Sequence, residues 1–265
     1  MSVTPLFDFF KRGEVARDVR LSAAQGGLAP RALEQLSILV FLLDDADAEI
    51  RQAADLTLSR IPLGTLSAFL ARSDVPVGLR EFFANRGIFP AETATDEADQ
   101  PLVEAEAADE VPVDEGEEEE GDEGHEPRES LVQKLAKMGF SERLKAASKG
   151  SREMRAVLIR DPNKMIVAAV MSSPKLTESE VEGIARMASV SDDVLRIIGA
   201  NRMWMKNYKI ACALTRNPKT PVALSMNLLS RLNEHDLAQV SVDRNVPEPI
   251  RIAARKKVVA AKTGH

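Results

Sequence analysis

One cysteine (Cys212), three histidines, one tryptophan and one tyrosine are all that 265 residues provide of these types. A lone thiol excludes an intramolecular disulfide and a cysteine-based structural zinc site. The histidines, at 125, 235 and 265, never share a helix face, so neither a metal site nor a metal cofactor is expected. Aromatic residues make up 4% of the chain, which disfavours β-sandwiches and barrels, whose strands lean on aromatic and β-branched side chains. Apolar runs such as Ile38–Leu43 are far too short to span a bilayer. The N-terminal stretch MSVTPLFDFFKRGE has no positive region followed by an apolar one, so it does not read as a secretory signal. The expectation is a cytoplasmic protein that meets no membrane. Phosphate-binding glycine loops and nucleophile-elbow motifs are absent as well.

Charge is present in quantity and unevenly placed. Residues 1–90 carry 10 Lys+Arg against 11 Asp+Glu, residues 91–129 carry 1 against 18, and residues 130–265 carry 24 against 12. The net −6 is therefore an average over parts of −1, −17 and +12. The middle segment, with Glu117 to Glu120 in a row, has few large apolar residues and repels itself. Such a chain cannot bury enough surface to offset its ordering entropy, and it reads as a disordered acidic linker. It serves as a spacer, or as an arm that competes for the basic domain after it.

Both flanking domains, 1–90 and 130–265, read as all-α. In the first, Leu33, Leu36 and Val40 recur at helical spacing, as do Ile50, Ala54, Leu58 and Ile61 before Pro62, and Gly26-Gly27 reads as a helix stop. The second repeats itself when slid by 56 residues. Arg160-Asp161-Pro162 falls on Arg216-Asn217-Pro218, Leu158 on Leu214, Leu176 on Leu232 and Val181 on Leu237. Ile184 falls on Val240, Val190 on Val246 and Val194 on Ile250. Helix starts are expected at Asp161, Thr177, Ser191, Asn207 and Asn217, where capping side chains meet prolines or first-turn acids. Thr177 and Glu180 form a capping box, and Asn233 marks a further start.

The pattern D-x-x-I-R-x-x-A-x-x-x-L at Asp47–Leu58 resembles the second helix of a HEAT repeat. IRDPNKMIVAAVMSSPKLTESEVEGIA and TRNPKTPVALSMNLLSRLNEHDLAQVSVDRNVPEPIR resemble bacterial leucine-rich-repeat-variant and HEAT-like solenoids. The resemblance covers most of residues 28–86 and 131–258. It implies an α-solenoid architecture in two helical domains and a binding scaffold, and it carries no catalytic residues to transfer.

No enzyme is expected, because the carboxylates outside the linker mostly sit where helix starts want them. Cys212, in the apolar stretch KIACALTR, reads as a buried, inert thiol. Two places suggest a partner. Arg202, Trp204, Lys206, Tyr208 and Lys209 interleave the lone Trp and Tyr with cations, an arrangement that stacks bases or anchors a peptide if the rings are exposed. Trp204 plugging a gap between short helices is the structural alternative. Arg251, Arg255 and Lys256 make the end of the chain densely basic. The functional expectation is a non-catalytic scaffold or adaptor that binds a protein partner. The second expectation is nucleic-acid binding by the basic domain, regulated by the acidic linker.

Overall fold

The computed structural model describes residues 5–28, 30–93, 100–103 and 128–263. Among them every regular element is a helix, and no helix is long and apolar enough to cross a membrane. Residues 94–99 and 104–127 of the acidic segment lie outside the described residues.

Contacts gather the chain into two compact units. The first comprises α1 (Pro5–Lys11), α2 (Arg17–Ala24), α3 (Ala32–Leu42), α4 (Ala48–Ser59), α5 (Leu63–Leu70), α6 (Val77–Ala84), α7 (Arg128–Lys137), α8 (Phe140–Lys149), α9 (Arg152–Leu158) and α10 (Lys164–Ser172). The second comprises α11 (Glu178–Arg186), α12 (Asp192–Ala200), α13 (Tyr208–Arg216), α14 (Val222–Leu228), α15 (Glu234–Val242) and α16 (Glu248–Thr263). The sequence divides at the acidic segment, whereas the contacts divide beyond α10. The reason lies in α10, whose residues Met165 to Ser172 are all buried. A helix apolar all round needs neighbours on every side. It finds them in α1, α8 and α9, and the backbone N–H of Arg31 reaches Ser172 O at 3.2 Å.

In the first unit the expected core of α4 is in place: Ile50, Ala54, Leu58 and Ile61 are buried and the helix stops before Pro62. Asp47 caps α4 by accepting from the Glu49 N–H at 2.9 Å, and it also takes Arg17 of α2 at 2.7 Å. On α3, Leu36 is buried but Leu33 and Val40 only partly so. The buried set there also includes Glu34, Gln35, Ile38, Leu39 and Leu42. Gly26 does end α2, with a φ of 81°. Its N–H donates to Ala23 O, and that of Gly27 to Ser22 O, the pairing that closes a helix through a left-handed residue.

The 56-residue pattern is written in core residues. Leu158 and Leu214, Leu176 and Leu232, Val181 and Leu237, Ile184 and Val240, Val190 and Val246, and Val194 and Ile250 are all buried. Helix starts follow the same shift: Arg152 and Tyr208, Glu178 and Glu234, Asp192 and Glu248. Thr177 caps α11 with the full reciprocal box, donating its N–H to Glu180 Oε2 at 2.9 Å and accepting from the Glu180 N–H at 3.3 Å. Asn207 and Asn233 also accept from their helices. Ser191 holds the cap position of α12 without a side-chain bond.

Two expected starts are corrected. The caps of α10 and α14 are Asn163 and Pro221, not Asp161 and Asn217. Asn217 closes α13 instead of opening α14. Its Oδ1 accepts from the Lys219 N–H at 3.0 Å, and its Nδ2 donates to the carbonyls of Ala185 and Met187 at 2.7 and 3.0 Å. An Asn-Pro pair serves a turn as well as a helix start, and here the open carbonyls at the end of α11 decide the matter.

A candidate partner-binding groove on helices α11, α13 and α15

Helix α13 packs between α11 and α15 and presents two faces. Ile210, Ala211, Leu214 and Thr215 are buried. Tyr208, Cys212 and Arg216, at i, i+4 and i+8, share the other side with Lys209 and Ala213 and line a groove of about 680 Å³. Arg186 and Ala188 form one wall. Asp236 and Gln239 of α15, with Asp243 and Asn245 of the turn after it, form the other.

The floor is a connected polar network. The Tyr208 hydroxyl donates to Asp236 Oδ2 at 2.5 Å and accepts from the Asn233 N–H at 3.1 Å. Arg216 Nη2 donates to Asp236 Oδ1 at 2.6 Å and to Gln239 Oε1 at 2.5 Å. The Tyr208 hydroxyl, and then Arg216, hold the Asp236 carboxyl below the usual carboxylate range. Burial, and then Asp236, push the Tyr208 phenol up. Burial is also the main cause that raises the Cys212 thiol. Cys212 is half-buried, more open than expected, and packs against the cluster of Leu229, Leu237 and Val240. At neutral pH this arrangement supplies a neutral thiol, a neutral phenol and an ionised carboxylate already paired with a guanidinium. Such groups orient a ligand and are poorly placed to move protons. The Nε of Arg216 is shielded from solvent and has no hydrogen-bond partner.

Of the residues singled out in the sequence, Tyr208 and Lys209 line this groove, and both are exposed. Trp204 does not offer its ring: it is 4% exposed, in a 3-10 turn, Trp204–Lys206, whose approach is held by Asn201 accepting from the Met203 and Trp204 N–H groups. The gap-filling role is the one it has. Arg202 and Lys206 are exposed outside the groove lining. Arg255 and Lys256 are exposed on α16, Arg251 is partly buried there, and none of the three lines the groove. Sequence reasoning missed Arg186, Arg216, Asp236 and Gln239. The i, i+4, i+8 series Tyr208, Cys212 and Arg216 was a usable signal for the α13 side of the groove. Nothing in the sequence brings α15 to it. Among the described residues no three His, Cys, Asp or Glu side chains gather as a metal site would require. Comparison with family models, with curated proteins and with solved structures returns no match.

Proposed function

We propose that this protein is a non-catalytic scaffold or adaptor of the α-solenoid type, cytoplasmic, whose second unit takes an extended segment of a partner protein in the α11–α13–α15 groove. One observation carries the reading. The groove lining holds an exposed aromatic, Tyr208, next to the exposed cation Lys209, over a floor in which Arg216 and Asp236 are paired with each other. Tyrosine and arginine are enriched among the residues that anchor protein interfaces. The buried 56-residue pattern and its shared helix starts support the solenoid part. The test is selection of peptides on the nuclease-treated full chain, followed by affinity measurement against Lys209→Glu. Selected peptides should lose at least tenfold in affinity for the variant. Peptides that bind both equally would place the partner elsewhere.

A second reading, nucleic-acid binding regulated by the acidic segment, rests on a separate observation. From Val194 to Asn233 there is no Asp or Glu, while Arg196, Arg202, Lys206, Lys209, Arg216, Lys219 and Arg231 lie within that stretch. Binding of this kind falls steeply with salt as counterions are released. With Trp204 in the core, Tyr208 is the aromatic of that stretch left for base stacking. Titrating labelled oligonucleotides against the full chain and a chain lacking 104–127, at two salt concentrations, separates the readings. Tight, salt-steep binding by the deletion alone would favour nucleic acid and make the acidic run an inhibitory arm.

A further inference from the structure

Gln35 on α3 is a polar side chain in the wrong kind of place. It is 3% exposed, among Glu34, Leu36, Ile38 and Leu39 of a helix buried on most sides. A buried carboxamide has to find partners for both its oxygen and its nitrogen. Gln35 finds them in a stretch of backbone nearly seventy positions away. Its Oε1 accepts from the N–H of Leu102 at 2.7 Å and from the N–H of Val103 at 3.1 Å. Its Nε2 donates back to the carbonyl of Val103. A single side chain thus reads both main-chain groups of Val103 and the donor of the residue before it.

The segment that fills this site differs from its surroundings. Between Ala91 and Glu129 the chain is mostly Ala, Asp and Glu, and Pro101-Leu102-Val103 is an apolar island, half-buried in all three residues. Pro101 has no N–H to satisfy and fixes its own φ, so the first donor offered is that of Leu102, the one Gln35 takes. A second attachment lies upstream, where the Ala91 N–H donates to Ser67 O of α5 at 2.9 Å. The run from 104 to 127 contains 13 Asp and Glu and no Lys or Arg.

We propose that the Gln35 carboxamide on α3 is a docking site for an extended peptide segment, and that its resident occupant is Pro101-Leu102-Val103, which roots the acidic run on the first unit. The recognition is of main chain, so side-chain sequence matters at two points only: the proline that removes a donor, and the apolar pair that covers the site. The acidic run then departs from α3, at Val103, rather than from the end of α6. Vacating the site leaves a buried oxygen and a buried nitrogen without partners, so the site favours being filled.

Hydrogen exchange at single amides, read by NMR on the full chain, tests this. The Leu102 and Val103 amides should exchange at least tenfold more slowly than in a free peptide of residues 97–107. In Gln35→Ala that protection should vanish while the far-UV circular dichroism is kept. Should Gln35→Ala unfold, Val103→Pro decides, because it removes a strap donor without touching α3. Its helix content should match the parent, and the Leu102 amide should exchange at the peptide rate. Unprotected amides in the parent chain would overturn the proposal. So would protection that survives Gln35→Ala in a folded chain, or that survives at Leu102 in Val103→Pro.

Discussion

Glu34 is an acid in a place that excludes water, and its cost is set by pH. It is 3% exposed and accepts from the N–H groups of Leu6 and Phe7 at 2.7 and 2.9 Å, closing the start of α1. Burial pushes its carboxyl up to about 7, against the pull of Ser172, of those N–H groups and of Arg31. The folded state therefore holds a proton that the unfolded chain has already released between pH ~4.5 and ~7. Stability should fall as pH rises through that window and level off above it. Glu34→Gln keeps an oxygen for the two N–H groups and carries no charge. Denaturant melts should show it more stable than the parent at pH 8 by on the order of 2–3 kcal/mol, with the difference closing by pH 4.5. An unchanged slope between the two pH values would show that Glu34 is not the group responsible. Cys212 gives a second residue-level expectation. With its thiol raised above the ordinary range by burial and by Asp236, alkylation at pH 7.5 should run slower than for a free cysteine. Asp236→Asn, by removing the negative charge, should speed it.

Short helices depend on their ends, and α11 shows how much. Nine residues leave nearly as many free backbone groups as bonded ones, so caps and turns carry a large share of the order. Thr177→Ala removes one cap acceptor at an exposed start and should cost about 1 kcal/mol. Ile184→Ala empties part of the core beneath the same helix and should cost about 2–5 kcal/mol. Asn217→Ala should fall between them, at roughly 2–3 kcal/mol, since it leaves the Ala185 and Met187 carbonyls without their donor. Chemical denaturation of the three variants gives the order. Thr177→Ala as the most damaging would mean that the helix ends, and not the packing, hold α11.

At the scale of the molecule, the division of the chain makes a claim that cutting can test. The sequence suggests that 1–90 and 130–265 fold apart. The contacts instead join α1 to α10, and Arg31 just before α3 bonds Ser172, so the first unit is built from both sides of the acidic run. A glutamyl protease acting within 104–127 should leave two pieces that co-elute on size exclusion until denatured. A fragment of residues 1–90 made alone should show less helix than its share in the whole chain, because it has lost α7–α10. Residues 176–263, which keep α11–α16 together, should retain theirs. Clean separation of the cut pieces under native conditions, each fully helical, would restore the division at the linker.

What the sequence by itself determined was local and periodic. The helical class, the caps at Thr177, Asn207 and Asn233, the stop at Gly26 and the 56-residue spacing of buried residues all follow from neighbours within a few turns. For these, propensity, capping and burial point the same way. What only the tertiary structure decided were choices among equally good local solutions. An Asn-Pro pair fits a helix start or a turn, and Asn217 became a turn because the carbonyls ending α11 lay within reach of its amide. Trp204 among cations fits a surface platform or a plug, and the gap between short helices took it. A glutamine on an apolar helix has no local partner at all, and Gln35 acquired one from Leu102 and Val103. The physical reason is common to the three. A polar or bulky group is placed by whatever distant atoms meet its valence or volume, and those distances are made by packing, which no window of sequence contains.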